Sequence, residues 1–359
     1  MGSAFSDLGH RTTVLMGDLF LEQRPWRFDN GLQVLPVPTV LRTPFHPALF
    51  PMTPGLIGQP AVGEADVVQT GEFHQPSSFF ASVATREARV PLVLWQETFG
   101  PMRAPGSLYQ RAFETTAGRY LRGTVRSYIP RTTKAGAYLR RLGAPPEDVA
   151  PWVPSGVDIE AFAPGESHHS PEDFGWPQDV RVLLIVGRLH HIKGVDRAVR
   201  ALREVLREDP EVRLVIAGSG PELPHLRRLI ADLRLEEEVR LLGQRTREEL
   251  ISLYNMADIV LNTSRKDLLP FSLMEASACA RPCVASDVGA VRDIVADGET
   301  GLVVGQEGSK PLAHAILSLL GDDALRATFG AEARKRMERH FGFTVVAKNL
   351  LEVYRGVAS

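Results

Sequence analysis

Two cations flank a short turn at residues 187–194, Gly-Arg-Leu-His-His-Ile-Lys-Gly, which follows the apolar run 182–186 and precedes apolar residues at helical spacing. A strand that turns and reopens as a helix presents unpaired N–H groups and the positive end of the helix dipole, a setting that favours an anion. Beside Gly187, Arg188 and Lys193 can neutralise a diphosphate there without a metal. The bland alternative is a solvated basic turn. Further on, Asp267 and Glu275 stand with seven residues between them, and Leu269, Pro270, Phe271 and Ser272 share that candidate binding loop. A carboxylate near a helix start can accept two hydrogen bonds from vicinal hydroxyls, as ribose offers. Ser272 and Glu275 also have capping-box spacing, in which Glu275 would only satisfy the helix N-terminus. Gly218 and Gly220, in a Gly-Ser-Gly-Pro turn, let a ligand approach the backbone, and Leu242-Gly243 ends a strand where main-chain groups can read a nucleobase edge. In the first half Glu72, His74, Gln96 and Glu97 are the polar candidates at two strand-end loops, with His74 equally readable as a satisfied histidine.

Short apolar runs alternating with helical patterns must position these residues, and that alternation implies an α/β fold of parallel sheets covered on both faces. Expected strands in the first half are 12–16, 32–37, 66–70, 91–96, 123–128 and 149–153, with helices at 76–86, 107–117 and 132–142. The second half is expected to supply strands at 182–186, 212–217, 239–242, 259–262, 283–285 and 301–304, and closing helices at 324–339 and 345–355. Residues 31–62 are dense in proline and read as an irregular loop after their first strand, and residues 155–179 read as an interdomain linker. In a doubly wound sheet the candidate turns of the second half all fall at the carboxyl ends of strands, on one rim.

A chain of 359 residues exceeds one ordinary core, so two domains are expected. With 44% hydrophobic and 23% charged residues and a net charge of -2, the composition is globular and argues against nucleic-acid binding. No apolar stretch reaches the roughly 18 residues of a membrane span, and the N-terminus turns polar at once, so a cytoplasmic location is expected. Arg119, Arg122, Arg126, Arg131, Arg140 and Arg141 read as solvated arginine, with peripheral contact to an anionic membrane surface as the alternative. Cys279 and Cys283 lie in an apolar segment and read as buried, reduced thiols.

The segments GRLHHIKG, AGSGP, VRLLG, DLLPFSLMEASACARPCVAS and DVGAVRDIVADGETGLVV resemble, in order and spacing, the nucleotide-sugar domain of retaining GT-B glycosyltransferases of family 4, over about residues 123–356. The resemblance implies two Rossmann-like doubly wound domains facing a central cleft. It places an acceptor-side domain at 1–165 without its opening strand, a donor domain at 166–340 and a returning helix at 341–359. It implies a nucleoside diphosphate sugar donor and a hydroxyl acceptor, with no cofactor and no metal. Arg188 and Lys193 would grip the donor diphosphate, Glu275 would bind ribose, and Asp267 would face the sugar hydroxyls. The family usually carries glutamate where Asp267 stands and often a histidine at or near Gln96. The absent opening strand and its glycine-rich loop leave open a true start upstream of Met1 or a catalytically impaired binding or regulatory subunit. A nucleotide-sugar epimerase, which would need acid and base residues in the first domain, is a separate rival.

Overall fold

The computed structural model describes residues 2–17, 26–27, 32–39, 52–102 and 106–359. The chain divides into two compact units, Met1–Ser155 with Phe343–Ser359, and Gly156–Gly342. In the first unit the strands are β1 (Thr13–Gly17), β2 (Trp26–Arg27), β3 (Gln33–Val37), β4 (Val68–Gly71), β5 (Leu92–Gln96) and β6 (Val125–Pro130). They form two three-stranded sheets, β1-β3-β2 and β4-β5-β6, the second wholly parallel and the first with an antiparallel β2–β3 pair. The apolar run of β5 is buried on both faces, as expected of a central parallel strand. Leu92 and Leu94 pack with Phe73, Leu121 and Tyr128 on one side, while Val93 and Ile129 meet Val346, Ala347 and Leu350 of the Phe343–Ala358 helix on the other.

Three sequence expectations change here. Residues 149–153 form no strand: the Ala150 and Val153 N–H groups donate to Tyr128 and Pro130 at 2.9 and 2.8 Å, but Pro151 and Pro154 have no N–H, and only an isolated bridge at Val149 remains. The helix expected at 107–117 is two helices, Gly106–Thr115 and Ala117–Arg122, broken at Thr116. Of the proline-rich loop, residues 40–51 lie outside the described residues, and Pro54–Leu56 and Pro60–Gly63 are short helical turns, each with proline in its first turn.

The second unit holds β7 (Arg181–Val186), β8 (Val212–Ala217), β9 (Val239–Gly243), β10 (Ile259–Asn262), β11 (Cys283–Ser286) and β12 (Gly301–Val304), all parallel, in the order β12-β11-β10-β7-β8-β9. The order reverses between β7 and β10, the topological switch point at which ligands of doubly wound sheets bind. After β7 the Val195–Val205 helix turns Val195, Ala198, Val199, Leu202 and Val205 inward at helical spacing, against Leu183, Leu214 and Ile316. Among the described residues no helix is long and apolar enough to cross a membrane.

The segment read as a linker is fastened to the second unit along most of its length. Ser252 Oγ takes the His168 and His169 N–H groups at 2.8 and 3.0 Å, and Asn255 Nδ2 donates to the Ala163 carbonyl at 3.0 Å. Arg334 donates to the carbonyls of Ile159 and Phe162 at 2.8 and 2.9 Å. Polar side chains spread over two helices make this a strap, a feature that proline, glycine and serine content alone does not reveal.

Candidate functional site

The loop after β7 closes onto the loop after β10 through backbone contacts that only small residues allow. Gly194 lies at φ +60°, and a Cβ there would sit 2.2 Å from the Thr263 carbonyl oxygen. Across this seam the Arg265 N–H donates to the Ile192 carbonyl at 2.7 Å, and Thr263 Oγ1 donates to the Lys193 carbonyl at 3.3 Å. Lys193, in the His191–Lys193 turn, thereby reaches Asp267, with Nζ 2.6 Å from Oδ2. Ser264 Oγ donates to the same oxygen at 3.1 Å, and the Leu268 N–H to Oδ1 at 3.0 Å. Two of the candidate residues, 74 positions apart, thus meet at the switch point as a mostly buried ion pair. Arg188 stands two residues beyond the end of β7, exposed and without a hydrogen bond or ion pair from its side chain among the described residues. The Lys193 ammonium is thus held by a carboxylate at the switch point, five residues along the chain from the exposed Arg188.

Glu275 is placed one turn into the Phe271–Ala278 helix. The capping box with Ser272 does not form: the N-cap is Pro270, with no side-chain cap bond, because the chain enters the helix through the proline. Glu275 Oε2 instead accepts from Tyr254 Oη at 2.7 Å. Burial is the largest influence on this carboxyl and raises its pKa above the ordinary value, opposed by the Tyr254 hydrogen bond and the charge of Arg247. Of the residues leading to it, Leu269 and Pro270 are buried, Ser272 is half-buried and Phe271 is 49% exposed.

The glycine turns divide by role. At Gly218 a Cβ would lie 1.8 Å from the Gly187 carbonyl oxygen, and at Gly220 2.3 Å from that of Leu189, so the space these glycines free is taken by the neighbouring loop. Gly187 and Gly243 face open space at that position. At the end of β9 the Gly243 carbonyl accepts from the Gly218 N–H at 2.7 Å and the Leu242 carbonyl from Arg245, so both are already engaged.

Sequence reasoning missed the residues that hold the rim together. Arg197 is 7% exposed and donates to Ser286 Oγ at 2.8 Å and to the carbonyls of Thr263 at 3.3 Å and Gly305 at 3.1 Å, tying the end of β11 and the loops after β10 and β12 to the helix after β7. Arg265 forks Asp196 at 2.7 Å through both terminal nitrogens, fixing the turn that carries Lys193. Arginine is so seldom buried that nothing in the sequence sets Arg197 apart from its solvated neighbours.

In the first unit the four polar candidates gather at the carboxyl ends of β4 and β5. Glu72 lies at φ +64° and accepts from Gln96 Nε2 and the Glu97 N–H, both at 2.9 Å, while Gln96 Oε1 accepts from the Phe73 N–H at 2.8 Å. Glu72 and Gln96 therefore act first as struts between two strand-end loops. His74 is 5% exposed, pairs with Glu114 at 2.9 Å and sits among Phe73, Phe113 and Tyr138; burial lowers its pKa, opposed by Glu114 and Glu72. Glu97 pairs with Arg131 at 2.5 Å, and that guanidinium lies 4.6 Å over the Trp95 ring.

The sequence pattern described as glycosyl transferases group 1 matches residues 167–336. A D-inositol 3-phosphate glycosyltransferase of Kineococcus radiotolerans is 39% identical over 231 residues, 59% of this chain and 53% of that protein. Another with that name, of Frankia alni, is 31% identical over 322 residues, 82% of this chain and 78% of that protein. The chain spans about half the length of several curated relatives it matches, 53%, 54% and 53% for three of them. Anabaena HepE, solved in complex with UDP, superposes with a TM-score of 0.71 at 21% identity, covering 85% of this chain and 82% of that one. That likeness shows the fold, which is GT-B. The switch-point geometry and the match across most of the Frankia alni protein lead to one conclusion: this chain belongs to the glycosyl transferases group 1 family.

Proposed function

We propose that the chain transfers a sugar from a nucleoside diphosphate sugar to an acceptor hydroxyl, with the anomeric configuration retained and no metal required. The observation that carries this reading is the meeting of Lys193 and Asp267 at the switch point, with Arg188 exposed five residues before Lys193 in the chain. The names of the relatives and the UDP held by HepE support it. In this reading the diphosphate draws on Lys193 and Arg188, and Asp267 turns from its ion pair toward the sugar hydroxyls. The acceptor oxygen bonds to the anomeric carbon as the bond to the leaving phosphate oxygen breaks, and that oxygen receives the acceptor proton. Negative charge grows on the diphosphate during this step, so cations fixed there lower the barrier. Asp267 positions the sugar and does not attack it.

UDP, GDP, ADP and CMP screened for thermal stabilisation, followed by transfer assays with sugars of whichever stabilises, test the proposal. One nucleoside diphosphate is expected to raise the unfolding temperature, by about 2.7 kcal/mol of added stability at a hundredfold excess over Kd. Transfer is expected to persist in chelator. Turnover abolished by chelator and restored by magnesium or manganese would remove the metal-free reading, and failure of every nucleotide to stabilise would remove the donor site.

A further inference from the structure

Glu275 uses its two carboxylate oxygens unequally. Oε2 accepts from Tyr254 Oη at 2.7 Å, whereas Oε1 has no hydrogen-bond donor among the described residues and is not sealed from solvent. Tyr254 is completely buried on the Arg247–Met256 helix, where its hydroxyl is costly unless partnered. Its ring is pinned edge to face by Phe162 of the strap, with centroids 6.0 Å apart and planes at 72°. Arg247, the first residue of the same helix, lies 5.4 Å over the Phe162 ring and pairs with Asp158 at 2.5 Å. Three residues distant in sequence, Phe162, Tyr254 and Glu275, therefore form one rigid line from the strap to the site.

We infer that Tyr254 is a positioning residue for nucleotide binding: its hydroxyl, held in place by Phe162, locks Glu275 in the rotamer that presents Oε1 to the ribose hydroxyls. The inference rests on the reading of Glu275 as the ribose-binding carboxylate. The charged and titratable groups facing Glu275 are Tyr254 and Arg247 from the Arg247–Met256 helix and Cys279, which caps the end of its own helix. Burial pushes Cys279 up to about 12 and Tyr254 well above its ordinary value, so both stay neutral near pH 7 and Arg247 is the one charged neighbour of the three. Removing the tyrosine hydroxyl takes away a bond that favours the ionised carboxylate, so the Glu275 pKa moves further up.

The test compares UDP with 2′,3′-dideoxy-UDP by calorimetry, in the wild type and in Tyr254→Phe, across pH. The wild type is expected to prefer UDP by roughly tenfold, the worth of a hydrogen bond to a charged group. Tyr254→Phe is expected to lose most of that preference while binding the dideoxy nucleotide as before, and what remains should vanish at a higher pH than in the wild type as pH falls. A merely structural role would weaken both nucleotides alike and overturn the inference, as would a variant that keeps the full preference. Phe162→Leu, which leaves every polar group intact, is expected to lose part of the preference, and an unchanged preference there would remove the strap from the account. A wild type that binds both nucleotides equally would instead overturn the ribose assignment of Glu275, and with it this inference.

Discussion

Lys193→Ala is expected to weaken nucleoside diphosphate binding by roughly 10- to 150-fold, the range that corresponds to losing a charge-assisted hydrogen bond of about 1.5–3 kcal/mol. Two effects add. The ammonium is lost, and Asp267, deprived of the partner 2.6 Å away, keeps Ser264 Oγ and the Leu268 N–H among the described residues and repels the incoming diphosphate. Turnover should fall at least as far, because the charge on the leaving group is larger in the transition state than in the bound donor. Arg188→Ala, at an exposed side chain with no bond among the described residues, should weaken binding without disturbing the bonds those residues make to one another. Calorimetric titration of both variants checks this, with the unfolding temperature of each as control.

Arg197→Met is expected to cost about 3 kcal/mol and to lower the unfolding temperature of the chain by about 6–12 °C, the shift such a loss produces in a domain of this size. The guanidinium is buried, and its removal strands the Thr263, Gly305 and Gly308 carbonyls and Ser286 Oγ without their donor. Those atoms lie at the end of β11 and in the loops after β10 and β12, so the same substitution should loosen the rim and reduce nucleotide affinity along with stability. Arg203→Met, on the same helix, makes none of these bonds and serves as the comparison. Differential scanning calorimetry of the two variants separates them: equal unfolding temperatures would contradict the bridging role of Arg197.

The second unit was far more legible in the sequence than the first, for physical reasons. Its central strands β7, β10 and β11 are buried on both faces and carry apolar runs such as residues 182–186, and glycines punctuate several strand ends. The first unit mixes prolines into its extended segments, so that residues 149–153 look like a strand and lack the donors to be one. At the site, residue type and spacing pointed to Arg188, Lys193, Asp267 and Glu275, but not to what each touches. That Lys193 is held by Asp267, and Glu275 by Tyr254, depends on contacts across 74 and 21 positions. The ring of struts formed by Arg197, Arg265 and Asp196 was illegible because a buried arginine and a solvated one are spelled alike. Glu72 illustrates the converse: its type suggested chemistry, and its hydrogen bonds to Gln96 and the Glu97 N–H show a carboxylate engaged in holding loops.

The central claim is that the switch point of the second unit clasps the diphosphate of an activated sugar. A crystal structure of the chain with UDP tests it most directly. The account predicts diphosphate oxygens within hydrogen-bonding distance, about 2.7–3.2 Å, of Lys193 Nζ and the Arg188 guanidinium, with the ribose hydroxyls on Glu275 Oε1. A nucleotide bound with its phosphates away from both cations would contradict it.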